Sequence, residues 1–568
     1  MPSRIRRGRA VFATVFVAVL VVRGAYLVSL SRTPLSLWHL WTQTDEWGYV
    51  DWSAHLAAGN WRDLPAWRSY FAWQEAYGSP EDWEGWYQKN AYFSGPLYPY
   101  GLAVLRLVFG SPIWPARVLQ LLLACLASSV LALAVFGLGE DWVAFWCALV
   151  AGVLYGLYGP LVFHDGFLLR DGPVAHLSAL LLAWPLIARE KEISSNGEEQ
   201  AAARRGWTRG ASGAFFLGLL GGLAILLKQT VAPLALASLY CFYSSSLYSP
   251  SKESPGGGGG RRSLSLFFGM LGLAIPLAFL AARNISVGVP PLTFDTRQVV
   301  GLVWGNARGA DATTTSPPGM DEILEEARGS TLRTARLVLE SYKGAPLDLP
   351  KLLLKKLATF FNAYEISDNA NFYFFRDRIR ILRVLPVFSC ILGVGLVGLF
   401  AALSRGVLRR GGALLALVAI LVPLAACLLV QTTSRYRAAM AGPLALGAGF
   451  FFLFTFKEIR DRRFRVAGFL VLTAGAVSLV PLLPSTIPAG RHRFSDALVY
   501  ATLVEARVSP EAGAAEIARY LAEGGDDHDR ESGVASARYW LDSGERSNTG
   551  VAPEGVAPPE RRVRKKEN

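Results

Sequence analysis

The chain has 568 residues, 52% of them hydrophobic and only 18% charged, with a formal net charge of +13. The apolar excess sits in runs of roughly 18–22 residues that read as transmembrane helices, which excludes an ordinary soluble domain. The Arg clusters lie between those runs, where membrane topology needs them, so the positive charge does not indicate nucleic acid.

In chain order, the basic start MPSRIRRGRA precedes an apolar run over 10–30. That run is long enough to cross a bilayer at about 1.5 Å per residue. It lacks the short core and small-residue cleavage site of a signal peptide, so it predicts an uncleaved anchor. A loop follows over 31–95, carrying Asp45 and Glu46 in TDEWGYVDWSAHLAAGN (44–60). Nine of the 16 Trp fall between Trp38 and Trp86. Adjacent acids amid so much aromatic surface look like a site rather than a connector. GPLYPYGLAVLRLVFG (95–110) is apolar but short, with two prolines at its start and Arg106 inside. It predicts an interfacial helix rather than a span. Further spans are predicted over 114–137, 142–162, 167–188, 211–228, 230–248, 264–282, 384–404, 413–431, 437–456 and 466–484, about eleven in all. The pair around Lys228 could equally form one re-entrant element.

With the N-terminus inside, the basic segments 189–210, 249–263, 405–412 and 457–465 all fall on the cytoplasmic face, as the positive-inside rule requires. The short turn 137–141 is also cytoplasmic but not basic. The outer face then holds the loop 31–113, the turn 163–166, the loop 283–383, the turn 431–437 and a tail from about 489. The expected fold is an all-α polytopic membrane protein over 1–488 with two large outer loops. A tail over 489–568 follows, helical over 495–523 and disordered from about 543. The glycine run 256–260 lacks the GK[ST] of a phosphate loop and reads as a linker. Asn284-Ile-Ser286 fits a glycosylation pattern. The five cysteines (125, 147, 241, 390, 427) lie in or beside apolar runs with no CxxC or zinc spacing, so neither a disulfide framework nor a metal site is indicated.

Charged groups near spans are costly and usually face a cavity or an interface. Asp45 and Glu46 are candidates for a general base and a partner that tunes it; the bland alternative is an N-cap by Asp45. Asp165, Arg170 and Asp171 cluster in FHDGFLLRDGPVAHL, where Asp171 is either a helix cap or a functional acid. His164 and His176 read as core residues. Lys228 ends a span as either a snorkelling anchor or a phosphate ligand. Arg435, Tyr436 and Arg437 put positive charge on the outer face, against the topology rule, and Arg forks suit phosphate. The outer loop 283–383 adds Asn306 in VWGNARGAD, and Glu365, Asp368, Asn369 and Asn371 among aromatics. Amide, acid and aromatic side chains together suit sugar recognition.

The order of these elements resembles the integral-membrane glycosyltransferases of the GT-C superfamily. It is closest to the bacterial branch related to protein O-mannosyltransferases and the aminoarabinose transferase of lipid A. The matching stretches are TDEWGY, GPLYPYG, LLRDGP, LGLLGGLAILLK, VWGNARGAD, EISDNANFYF and SRYR, over about 10–480. The resemblance implies a transferase that moves a sugar from a polyprenyl-phosphate donor to an acceptor hydroxyl. Inversion is expected, at a site on the periplasmic or extracellular side of a bacterial cytoplasmic (inner) membrane. Asp45 resembles the catalytic base, with Glu46 beside it. Asp171 looks like the second outer acid, a role Asp165 could also fill. Lys228, Arg435, Tyr436 and Arg437 would hold phosphate, with Asn306, Glu365 and Asn369 as further substrate contacts. One departure concerns a lysine that relatives of the aminoarabinose transferase carry directly before Pro-Pro-Leu. Here Ser94-Gly95-Pro96-Leu97 stands instead.

A carboxylate suits the chemistry because a hydroxyl is a poor nucleophile, and the leaving phosphate needs fixed positive charge. No cofactor is expected and a divalent metal is not indicated. Competing readings are a transporter or flippase of lipid-linked sugars, or an inactive scaffold. No internal repeat is visible and the charges gather at one face, which disfavours transport.

Overall fold

The computed structural model describes residues 4–75, 77–137, 142–193, 210–247, 258–312, 316–408, 410–484 and 494–523. Much of the expected cytoplasmic loops 189–210 and 249–263, part of the glycine run and the tail beyond 523 lie outside the described residues. The main helices in chain order are α1 (Arg4–Ser31), α2 (Asp45–Ala57), α3 (Leu97–Phe109), α4 (Ile113–Phe136), α5 (Trp142–Gly156) and α6 (Asp171–Ile193). Next come α7 (Ala211–Leu227), α8 (Ala232–Leu247), α9 (Gly258–Ser286), α10 (Arg297–Asn306), α11 (Thr331–Glu340) and α12 (Asp348–Phe361). The last are α13 (Phe388–Ser404), α14 (Arg410–Leu429), α15 (Ala441–Arg460), α16 (Phe464–Leu479), α17 (Phe494–Arg507) and α18 (Pro510–Glu523). No strand occurs among the described residues.

Each predicted span is helical, the one over 142–162 as two separate helices, and not all are equal. Among the described residues, seven helices are long and apolar enough to cross a membrane: α1, α4, α6, α9, α14, α15 with the turn before it, and α16. The chain is therefore an integral membrane protein. The other four, α5, α7, α8 and α13, have 15, 17, 16 and 17 residues. They rise about 22–26 Å, short of a hydrocarbon core of about 30 Å. The span predicted over 142–162 breaks after Gly156, and the chain restarts as a short helix, Gly159–His164. The reason is local. The backbone N–H of Gly159 donates to Pro386 O at 2.8 Å, so the strand of chain between the two helices is tied to the start of α13. The Lys228 region is two helices, not one re-entrant element, with a single 3-10 turn (Gln229–Val231) between α7 and α8.

Helix pairing in the bilayer needs close backbone approach, because lipid gives no hydrophobic drive. α7 and α9 supply it with Gly218, Gly222 and Gly272: a Cβ on Gly218 would meet the Gly269 carbonyl, and one on Gly272 the Phe215 carbonyl. Within α1, Arg23 is 2% exposed. Its guanidinium pairs with Asp165 and donates to Gly156 O at 2.6 Å. His176 Nε2 lies 2.8 Å from the same carboxylate, and Tyr155 OH 2.8 Å from His176 Nδ1. A buried charge this well partnered ties α1, α5 and α6 together at their outer ends.

The loops 31–113 and 283–383, which the sequence separates, pack against each other through their described residues. Trp83, Trp86, Tyr87 and Phe93 share an apolar cluster with Val299, Val300 and Val303 of α10 and with Met320, Leu324 and Val338. α3 buries Tyr98, Pro99, Leu102 and Ala103 and exposes Val104, Leu107, Val108 and Phe109. That two-sided pattern is the one expected of an interfacial helix. Asn284 is fully buried, its amide donating to Thr293 O at 2.9 Å and Pro291 O at 3.1 Å, so the sequon asparagine braces a loop instead of standing free for a glycan. The C-terminal hairpin of α17 and α18 docks back on the core. Asn371 Nδ2 donates to Asp496 at 3.0 Å, and Arg507 NH1 donates to Thr33 O at 2.6 Å.

Candidate active site

The site begins at the first turn of α2. Thr44, not Asp45, is the N-cap, its Oγ1 accepting from Trp47 N–H at 3.3 Å. This frees Asp45 and Glu46 to point their carboxylates sideways, at positions where a helix favours negative charge. They point to different places. Asp45 accepts from Arg297 NH1 at 3.0 Å, Arg435 NH1 at 2.8 Å and Asn369 Nδ2 at 3.3 Å. Its own backbone N–H donates to Asn369 Oδ1 at 2.7 Å. Glu46 turns inward, where Oε1 accepts from Leu168 N–H at 2.9 Å and Arg117 stands 3.7 Å away.

Around Asp45 the ion pairs continue. Arg435 lies 3.6 Å from Asp171 and 2.7 Å from Asp368, and Lys228 Nζ donates to Asp171 at 3.0 Å. The ammonium also sits 3.7 Å above the Tyr436 ring. Beside this chain Arg170 faces Asp295 at 3.8 Å and donates to Leu227 O at 3.0 Å. Burial alone would raise the Asp45 pKa, but Arg297 and Arg435 outweigh it and hold the carboxyl well below the usual range. Asp368 goes the other way, pushed up by burial despite Arg435.

Of the residues singled out by sequence, the structure brings Asp45, Asp171, Lys228, Arg435, Tyr436 and Asn369 together. Asp368 joins them through Arg435, and Arg170 lines the same cavity, whereas Asp165, Glu365, Arg437 and Asn306 are engaged elsewhere. Asp165 serves Arg23 and His176. Arg437 is spent on Glu365 at 2.8 Å and on the carbonyls of Phe360 and Tyr364 at 3.0 and 3.2 Å. Asn306 accepts from Lys356 Nζ at 2.9 Å, and Lys356 also donates to Leu428 O and Val430 O, closing the C-terminal end of α14. Arg297 and Asp295 are the functional-site residues that sequence reading passed over. Both lie in the outer loop 283–383, too long for its positive charge to be read against the topology rule.

Two openings meet at this cluster. A cavity of about 140 Å³ is lined by Asp45, Arg297, Asp368 and Asn369 on one side and by Phe71, Trp73, Tyr87, Phe93 and Trp304 on the other. Gln43, Gln74, Gln229, Gln298 and Gln431 fill the space between. A smaller recess of about 30 Å³ runs from Asp171, Lys228 and Arg435 down between α6, α8 and α14, lined by Val174, Leu234, Ala419, Val422 and Ala426. The polar end of one is the floor of the other: both share Lys228, Thr230, Ala426 and Tyr436. Among the described residues no group of three or more His, Cys, Asp or Glu has the arrangement to hold a metal.

In Ser94-Gly95-Pro96-Leu97 the lysine's place is taken by Ser94, whose Oγ lies 3.0 Å from Tyr49 OH, and Gly95 stands for the first proline. A Cβ on Gly95 would meet the Leu226 and Leu227 carbonyl oxygens. No side chain fits at Gly95 without moving the end of α7 that leads to Lys228. Gly95→Ala is therefore expected to lower stability by about 1–3 kcal/mol through overpacking, measured as a drop in melting temperature in detergent. Glu46 gives a second expectation. Burial raises its pKa from 4.5 to about 7, against Arg117 and the Leu168 N–H that lower it. The folded chain keeps that proton to higher pH than the unfolded chain does, so stability falls as pH rises from about 4.5 to 7. Glu46→Gln removes that slope, and melts at pH 5 and pH 8 compare the two proteins.

No family model and no curated protein matches the chain. Solved structures do. The apo oligosaccharyltransferase of Archaeoglobus fulgidus is 15% identical with a TM-score of 0.41, over 89% of this chain and 59% of that one. Archaeal oligosaccharyltransferase AglB of the same organism, in complex with an inhibitory peptide and a dolichol-phosphate, is 14% identical with a TM-score of 0.37, over 89% and 59%. The chain thus spans 59% of the length of that oligosaccharyltransferase. ArnT from Cupriavidus metallidurans, bound to undecaprenyl phosphate, is 16% identical with a TM-score of 0.32, over 95% and 76%. The solved structures to which this chain is similar thus include two determined with a lipid phosphate in place.

Proposed function

We propose that the chain is a membrane glycosyltransferase that moves a sugar from a polyprenyl-phosphate donor to an acceptor hydroxyl at the outer face. The observation that carries this reading is the junction of the two openings. An apolar recess between spans ends at Lys228 and Arg435, and directly beyond it lies a carboxylate in a polar, aromatic-walled cavity. The order of those environments, apolar, then cationic, then polar and aromatic, matches the order of lipid tail, phosphate and sugar in such a donor.

In the reaction, Asp45 takes the acceptor's hydroxyl proton as the oxygen attacks the anomeric carbon. The bond from that carbon to the phosphate oxygen breaks, and its electron pair leaves with the lipid phosphate. Attack opposite the leaving group inverts the centre. Lys228, Arg435 and Arg297 neutralise the departing charge as preorganised donors in a largely buried cluster. Asn369 holds Asp45 from two sides, through the side chain and through the backbone N–H. Phe71, Trp73 and Trp304 offer faces on which a sugar ring stacks, and the surrounding glutamines suit its hydroxyls.

The test is transfer from a panel of radiolabelled polyprenyl-phosphate sugars in membranes containing the protein. Label found on an acceptor supports the reading. Label that changes leaflet while still attached to its lipid would favour a flippase of lipid-linked sugars and defeat it.

A further inference from the structure

The groups that would receive the donor's phosphate are already engaged by the chain's own carboxylates. Lys228 is on Asp171, Arg297 on Asp45, and Arg435 on Asp45, Asp368 and Asp171. The side chains of Asp45, Asp171 and Arg435 are only 4–8% exposed, so solvent does little to loosen these pairs. A phosphate that entered without rearrangement would bring its negative charge up against Asp45 and Asp171 in a site of low dielectric. Like charges held that close repel strongly. Room for the anion therefore has to come from an exchange, in which a carboxylate gives up its guanidinium partners and the phosphate takes them.

Asp45 is the carboxylate best placed to yield. It shares Arg435 with two other acids, and its second partner, Arg297, has a side chain 23% exposed, the highest of the cations here. It also has somewhere to remain. Asn369 donates to it from one side and accepts its backbone N–H from the other, and neither contact depends on the arginines. Asp171, by contrast, keeps Lys228 at 3.0 Å whatever Arg435 does.

We propose that the donor's phosphate displaces Asp45 from Arg297 and Arg435, so that the carboxylate is released as a base only in the donor-loaded protein. The inference rests on the reading of Asp45 as the base and of the donor as a lipid phosphate. Before donor arrives, two guanidinium groups hold Asp45 as a poor proton acceptor. Once the phosphate has taken them, the same carboxylate stays in place on Asn369 and accepts a proton more readily. Donor then binds before the acceptor is activated, and the order follows from charge exchange with no moving domain.

The consequence is unusual for a catalytic residue: removing its charge should improve binding of the lipid phosphate. The experiment measures the affinity of radiolabelled polyprenyl phosphate, without a sugar, for the full-length protein in lipid nanodiscs. Asp45→Asn is expected to bind at least tenfold more tightly than wild type, Asp368→Asn by a smaller factor because it relieves Arg435 alone, and Asp45→Glu as wild type. The rise in melting temperature on adding polyprenyl phosphate should follow the same order, so a variant that purifies poorly still has a readout. Equal or weaker binding by both Asn variants, with wild type binding normally, overturns the exchange and leaves the donor reading standing. No binding by any of the proteins overturns the donor reading itself and the exchange with it.

Discussion

Asp45→Asn lowers turnover by about 10²–10⁴-fold, the range a positioned general base contributes, while the protein remains folded and inserted. The amide keeps the size of the carboxylate and still accepts from one arginine and from Asn369, so the geometry around α2 survives. What it loses is the ability to take a proton. The measurement is single-turnover transfer at saturating donor, with thermal melts as the control for folding. With tighter donor binding the variant should show a lower KM together with the lower kcat, a combination that simple damage to the site does not produce. Turnover within a few-fold of wild type would remove Asp45 as the base and move the search to Asp171 and Asp368.

Arg435→Gln is the second large effect, a fall of about 10²–10³-fold in kcat/KM, typical of deleting one preorganised donor to developing charge. Arg435 is also the hub of the cluster, facing Asp45, Asp171 and Asp368 at once. Its loss leaves those acids facing one another, so the donor's phosphate would meet net repulsion. Arg435→Lys should recover little, because an ammonium is a point charge and cannot span three carboxylates as a planar fork does. Recovery to near wild-type rate by lysine would show that charge alone matters at this position.

Much of the architecture was legible because hydrophobic runs and basic loops are local signals. The apolar runs located the helices, though of the eleven expected spans only seven are long enough to cross a membrane among the described residues. What local signals miss is where a helix is interrupted by a distant partner, as at Gly159, whose N–H goes to Pro386. The site was half legible for the same reason. Lys228 and Arg435 stood out because charge beside an apolar run is conspicuous, whereas Arg297 sits in a long polar loop where one more arginine attracts no notice. Arg437 and Glu365 looked like site residues by composition, yet they neutralise each other in a buried pair that fastens the 360–365 segment to the turn before α15. Which of two neighbouring charges reaches the cavity depends on side-chain direction, and Asp45 and Glu46 show that adjacent residues can serve separate ends.

The partners of Asp45 come from far along the chain: Arg297 is 252 residues later, Asn369 324 and Arg435 390. Asn371, two positions beyond Asn369, is held in turn by Asp496 in the hairpin near the end of the described residues. A chain made from its N-terminus therefore completes the loop that carries Asp45 long before the arginines that pair with it exist. Asp45 can gain its first arginine only once the chain has reached 297 and its second at 435, so the cluster around it is completed in the later part of synthesis. A ribosome that stalls after α14 leaves a nearly full set of spans in the bilayer with Asp45 still without Arg435.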